Sequence, residues 1–185
     1  WLGLRLRAGN SLIGARRSVW TKQQLLRGLF YGKNAQTPRQ LKPGEARQPG
    51  EVYHFLVWDE DMAPAANDSL MKVHWPDECE QIKSWRDKQV KQKHSPEEVA
   101  RLEHLSERID ALWAGYAAER HKALAKTACT ASVWPIAQND LKAISPSPSL
   151  KRQEQIKATL EAESGAFQRL RLLMDCWCSF YFWPL

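Results

Sequence analysis

Ser95-Pro96-Glu97-Glu98 opens the stretch that decides the fold, and Val99, Leu102, Leu105 or Ser106, Ile109, Leu112, Trp113 and Tyr116 follow it. The Ser95 hydroxyl is placed to cap the amide of Glu98, and the Glu98 carboxylate to reach back to the amide of Ser95. Proline stands at the first helical position, where its missing N–H is harmless. The apolar residues recur at three- and four-residue spacing, which predicts an amphipathic helix continuing through alanines to about Lys126. At 1.5 Å per residue such a helix is about 45 Å long. A turn-rich connection from Thr127 to Ser149 follows, with Ser145-Pro146-Ser147-Pro148 in it. Ser149 is the next cap. Leu150, Ile156, Leu160, Phe167, Leu170, Leu173, Met174 and Trp177 then give a second long helical pattern, with a kink expected at Gly165. Two helices of this length are best explained by packing antiparallel as an arm. Beyond Leu172 the pattern is apolar all round, so burial is expected there.

Working back towards residue 1, Pro76 suits the start of a helix running to about Val90, and a shorter helix is expected over Asp68–Val73. Val52 to Trp58 reads as the best strand, β-branched and aromatic between Gly50 and the acidic Asp59-Glu60-Asp61. Tyr31 to Gly50 lacks periodicity and reads as a loop. Thr21 is placed to cap a short helix over Lys22–Leu29, ending near Gly28 or Gly32. Leu4-Arg5-Leu6-Arg7 alternates as a half-buried strand does, and Gly9-Asn10-Ser11 punctuates it. The expected organisation is a strand and turn over residues 1–20, a basic loop or linker over 21–50, a strand with short helices over 51–94, and a long helical hairpin over 95–185. The fold class is therefore mainly α beside a small β element.

The 185 residues, 26% of them charged and nine of them tryptophan, exclude simple disorder. No apolar run reaches about 18 residues, so no membrane span and no membrane partner is expected. The net charge of +6 is uneven: residues 1–50 hold ten Lys/Arg and one acid (Glu45), against 17 Lys/Arg and 20 acids in residues 51–185. A basic segment on a mildly acidic body suits contact with a polyanion, and DNA is the expected partner. The densest basic cluster is Arg5, Arg7, Arg16, Arg17, Lys22 and Arg27. Trp20, interleaved among them, suits stacking beside phosphate contacts. Cys79, Cys129, Cys176 and Cys178 form no CxxC pair and fit reduced thiols of a cytoplasmic protein. Trp1 in place of methionine, and the apolar Phe182-Trp183-Pro184-Leu185, suggest a piece of a larger protein.

Other chemistries are weakly supported. Asp59-Glu60-Asp61 and Asp77 with Glu80 and Lys83 superficially suggest a metal-dependent nuclease, but a turn and surface pairs explain them better. The five histidines and four cysteines lack zinc spacing, so no metal is expected. Phosphate-cradling and nucleophile-elbow motifs are absent. Phe180 to Trp183 reads as core rather than as a stacking platform.

Leu6-Arg7-Ala8-Gly9-Asn10-Ser11-Leu12-Ile13-Gly14 resembles a stretch of large S-adenosylmethionine-dependent N6-adenine DNA methyltransferases. These are the type IIG restriction–modification methylases and the methylases of BREX- and DISARM-type phage-defence systems. Ala15-Arg16-Arg17-Ser18-Val19-Trp20, Leu41–Arg47, Tyr53–Val57, Asp59–Met62, Thr127–Thr130 and Met174–Cys178 extend the likeness over most of the chain. The resemblance implies that the small β element is the edge of a doubly wound α/β methyltransferase sheet, with the helical hairpin inserted beside it. It implies S-adenosylmethionine as the parent protein's cofactor, with Asn10 beside its adenine and Ser11 and Leu12 next to it. Ligands of open α/β sheets gather at strand carboxyl ends, which makes that position reasonable. The family's glycine-rich Asp-Pro-Ala-x-Gly-Ser-Gly and its catalytic Asn-Pro-Pro-Tyr/Trp are missing from this sequence. The implied assignment is a fragment of an adenine-specific methyltransferase, inactive by itself and without a catalytic residue. Its partners would be DNA and the remainder of the polypeptide or other defence-system subunits. The alternative is a non-enzymatic helical module that holds nucleic acid through its basic N-terminal segment.

Overall fold

The structure, a computed structural model, describes residues 15–127 and 149–182. The expected strand at Leu4–Arg7, its Gly9-Asn10-Ser11 turn and most of the turn-rich connection after Thr127 lie outside the described residues. The described part is mainly helical, with a small three-stranded antiparallel sheet. It falls into two compact units, one built on residues 15–110 with 172–182, the other on residues 111–127 with 149–171.

In the first unit, β1 (Ser18–Thr21) is the central strand, flanked by β2 (Arg39–Gln40) and β3 (Glu51–Tyr53). Val19 faces Arg39 on one side and Tyr53 on the other, both pairings antiparallel. β2 corrects the reading of Tyr31–Gly50 as plain loop. Two residues carry no strand signal of their own. They pair because the Arg39 guanidinium reaches Glu51 of β3 at 3.0 and 2.8 Å and also binds Glu45. The strand expected to reach Trp58 also stops early, at Tyr53, and His54–Leu56 form a 3-10 turn. The pairing partner runs out at this point. The N–H of Arg16, which a longer ladder would engage, donates instead to the His54 ring Nε2 at 2.8 Å.

α1 (Lys22–Arg27) begins at Thr21 with a full capping box: the Gln24 N–H donates to the Thr21 hydroxyl and the Thr21 N–H to the Gln24 side chain. It ends at Gly28, whose φ of 69° lies in the left-handed region that glycine adopts without a Cβ penalty. α2 (Ser69–His74) is capped by Asp68, and α3 (Pro76–Val90) spans the expected residues. Trp20, Leu25, Phe30, Val52, Val57 and Val99 form the main core of this unit, and Ala63, Ala66 and Ile82 form a second cluster.

α4 (Pro96–Thr127) has 32 residues, about 48 Å of helix. The Ser95 capping box is present, at 2.8 Å to the Glu98 carboxylate and 3.2 Å from the Glu98 N–H. Position 106, not 105, faces the core: Ser106 is fully buried and Leu105 is exposed. In the second unit Ala123 and Leu160 share a cluster with Tyr116, Leu124 and Ile156, and Tyr116 meets Phe167 at 5.3 Å.

The second long pattern is two helices rather than one kinked helix. α5 (Leu150–Leu160) is capped by Ser149, and α6 (Ala166–Ser179) starts after Gly165. Between them the Gly165 N–H donates to the Ala162 carbonyl at 2.8 Å, and a Cβ on Gly165 would stand 3.0 Å from that oxygen. The last turns are not buried all round: Trp177 is, whereas Leu172 and Phe182 are exposed. Among the described residues no helix is long and apolar enough to cross a membrane.

Candidate nucleic-acid interface

Of the six basic residues expected to meet phosphate, Arg5 and Arg7 lie outside the described residues, as do Asn10, Ser11 and Leu12 of the implied cofactor contact. Arg16, Lys22 and Arg27 are exposed, the last two at opposite ends of α1. Arg27 closes the last turn, where a cation also suits the helix dipole. Arg17 is placed differently. It is half-buried, its guanidinium donates to the Glu45 carbonyl at 3.0 Å, and it is hydrogen-bonded to the Tyr53 hydroxyl. Trp20, expected as a stacking residue, is part of the core against Phe30.

Arg17 belongs to a polar network that ties the sheet to α4. The Tyr53 hydroxyl donates to Asp110 at 2.7 Å, Arg47 binds the other Asp110 oxygen at 2.9 Å, and the Gly50 N–H donates to Glu103 at 2.7 Å. Burial, then the Asp110 carboxylate, pushes the Tyr53 phenol up to about 12. The Lys42 N–H, then the Arg39 guanidinium, holds the Glu45 carboxyl below its ordinary range. The N-terminal excess of basic residues is therefore partly consumed in holding the fold, and Arg16, Lys22 and Arg27 remain on the surface.

A cleft of about 530 Å³ opens beside Arg16, lined also by Ser18, Gln40, His54, Asp59, Asp61 and the aromatic pair Trp177 and Tyr181. Four segments build it, β2 among them with Gln40. The start of β1 supplies Arg16 and Ser18. The turn after His54 supplies the acids, because the Asp61 N–H donates to the Asp59 carboxylate at 2.9 Å and closes an Asx turn. The end of α6 supplies the aromatic wall: the Trp177 indole N–H donates to the Val57 carbonyl at 2.9 Å and its ring meets His54 at 5.0 Å and Tyr181 at 5.3 Å.

Burial lowers the His54 pKa, so its ring is neutral near pH 7; Nε2 accepts from Arg16 and Nδ1 carries the proton. Burial and the neighbouring Asp59 and Glu60 carboxylates raise Asp61. Burial and Asp59, whose carboxylate accepts the Tyr181 hydroxyl, raise Tyr181. The acidic triplet was visible in the sequence, but its convergence with α6 residues about 120 positions later was not. Among the described residues no three His, Cys, Asp or Glu groups come together to hold a metal ion. Glu60 instead accepts the Gly32 N–H at 2.9 Å.

Comparison of the chain with protein-family models, with curated proteins and with solved structures finds no match.

Proposed function

We propose that the chain is a DNA-contacting portion of an S-adenosylmethionine-dependent DNA adenine-N6 methyltransferase of a restriction–modification or phage-defence system. On this reading the antiparallel helices are an insertion beside the edge of the enzyme's doubly wound core sheet. They scaffold or touch DNA and do no chemistry of their own. The observation that carries the reading is the run Leu6–Trp20, with its Gly9-Asn10-Ser11-Leu12-Ile13-Gly14 element leading directly into a strand with exposed Arg16 beside it. Methyl transfer needs an extruded base held in line with the sulfonium methyl. The glycine-rich and Asn-Pro-Pro-aromatic motifs that would do this in the family are not in these residues.

Two measurements test the proposal. In the complete reading frame the glycine-rich motif is expected before this segment and Asn-Pro-Pro-aromatic after it; a complete frame lacking both overturns the methyltransferase assignment. The chain itself is expected to bind duplex DNA with an affinity that falls as salt rises. Arg16→Ala, Lys22→Ala and Arg27→Ala should each reduce the log–log salt slope by about 1 if that residue meets a phosphate. Affinity insensitive to salt would overturn the DNA contact and leave the methyltransferase assignment to the first test.

A further inference from the structure

We infer that the cleft between the start of β1, the Asx turn and the end of α6 is a binding site for the guanidinium group of an arginine side chain. The inference is independent of the methyltransferase reading and rests on four features of the cleft. Its volume of about 530 Å³ falls within the range of small-ligand sites, about 300–1,000 Å³. Ser18 lines it and is only 5% exposed, yet its hydroxyl has no hydrogen-bond partner among the described residues. Its oxygen is not among the fully enclosed side-chain atoms, so it is open to whatever enters the cleft.

The charge balance selects the sign of the ligand. Asp59 and Asp61 each bring a negative charge, exposed Arg16 brings a positive one, and His54 is neutral, so the cleft has an excess of one negative charge. Asp61 is held above the usual carboxylate range by burial and by Asp59 and Glu60, which outweigh the pull of Arg86. A cation beside it would relieve that repulsion.

Shape selects guanidinium over ammonium. Its planar fork can meet two carboxylates or a carboxylate and a hydroxyl together, is more weakly hydrated than an ammonium, and lays its face on aromatic rings such as Tyr181. An ammonium would also satisfy the charge and has three donors, but it has no planar face to lie on the Tyr181 ring.

N-acetyl-arginine amide titrated into the full 185-residue chain, followed by amide and indole NMR signals, tests the site. Saturable shifts are expected at Asp59–Met62 and at the Trp177 indole N–H. The neutral isostere N-acetyl-citrulline amide should bind at least about tenfold more weakly. Asp61→Asn keeps the backbone turn and should weaken binding about tenfold, and Ser18→Ala about threefold, with the remaining spectrum unchanged. A Gly-Arg-Gly peptide separates a free ligand from a peptide one: tighter binding than the amide supports the site with a peptide source, equal binding supports it with the side chain as the whole ligand. Equal affinity for citrulline, full affinity in Asp61→Asn, or shifts mapping elsewhere would overturn the inference.

Discussion

Ser106 Oγ accepts the N–H of Tyr53 at 3.2 Å while donating to the Leu102 carbonyl at 2.9 Å, and the residue is fully buried. Here a side chain of α4 completes the backbone hydrogen bonding of β3. Ser106→Ala leaves a buried N–H without a partner, and chemical denaturation should show a loss of about 1–3 kcal/mol. A loss as small as that of an exposed serine would show that the N–H finds water instead. Nearby, the raised pKa of Tyr53 makes stability depend on alkaline pH. The folded state holds the phenolic proton more tightly than the unfolded chain, so this contribution is complete below about pH 10 and fades as pH rises through about 12. Thermal melts across that interval should fall more steeply for the native chain than for Tyr53→Phe. His54 works in the opposite direction. Its lowered pKa gives a contribution present above the ordinary histidine range and lost as pH falls below it, so His54→Gln should flatten the acid side of the stability profile.

At the scale of elements, what could be read from the sequence was local. Ser95 with Glu98, Pro76 as a first helical residue and Ser149 as a cap are each decided within four residues and are where the sequence puts them; of the two stops it offers, Gly28 and Gly32, the first is used. What could not be read depends on distant partners. β2 exists because Arg39 finds Glu51, and β3 stops because Arg16 meets a histidine ring instead of a carbonyl. The choice between Leu105 and Ser106 as the inward residue is set by Tyr53, since hydrophobicity alone favours the leucine. The cleft is the extreme case, joining residues near 16, 60 and 180. Two substitutions test the local devices. Ser95→Ala should destabilise by about 1 kcal/mol, the usual value for a lost helix cap. Gly165→Ala should destabilise by about 1–2 kcal/mol, because its Cβ would press on a backbone oxygen that the turn cannot move freely. Calorimetric melting of each variant checks both, and an unchanged melting temperature for Gly165→Ala would show that the α5–α6 turn relaxes.

Across the whole molecule, charge and chain order matter more than any one contact. The first fifty residues carry an excess of nine basic groups, and Arg17, Arg39 and Arg47 among them are held in internal bonds. Surface charge is thus smaller than composition suggests. The first unit also draws on both ends of the described chain: Trp177 bonds to Val57, the Ala63 N–H donates to the Phe180 carbonyl at 3.1 Å, and Phe180 packs on Trp58 at 4.6 Å. A chain ending at Arg171 should therefore lose the near-ultraviolet signature of those tryptophans and be cleaved faster by protease around Val57–Ala63. Unchanged resistance would show that this unit closes without α6. The same bonds impose an order on synthesis. A ribosome emitting the polypeptide at about 5–20 residues per second finishes the sheet and α1 long before Trp177 appears, so the Val57 carbonyl and the face of Trp58 wait, uncovered, for several seconds. In that interval this unit is at its most vulnerable to wrong partners, and its closure is timed by the arrival of α6.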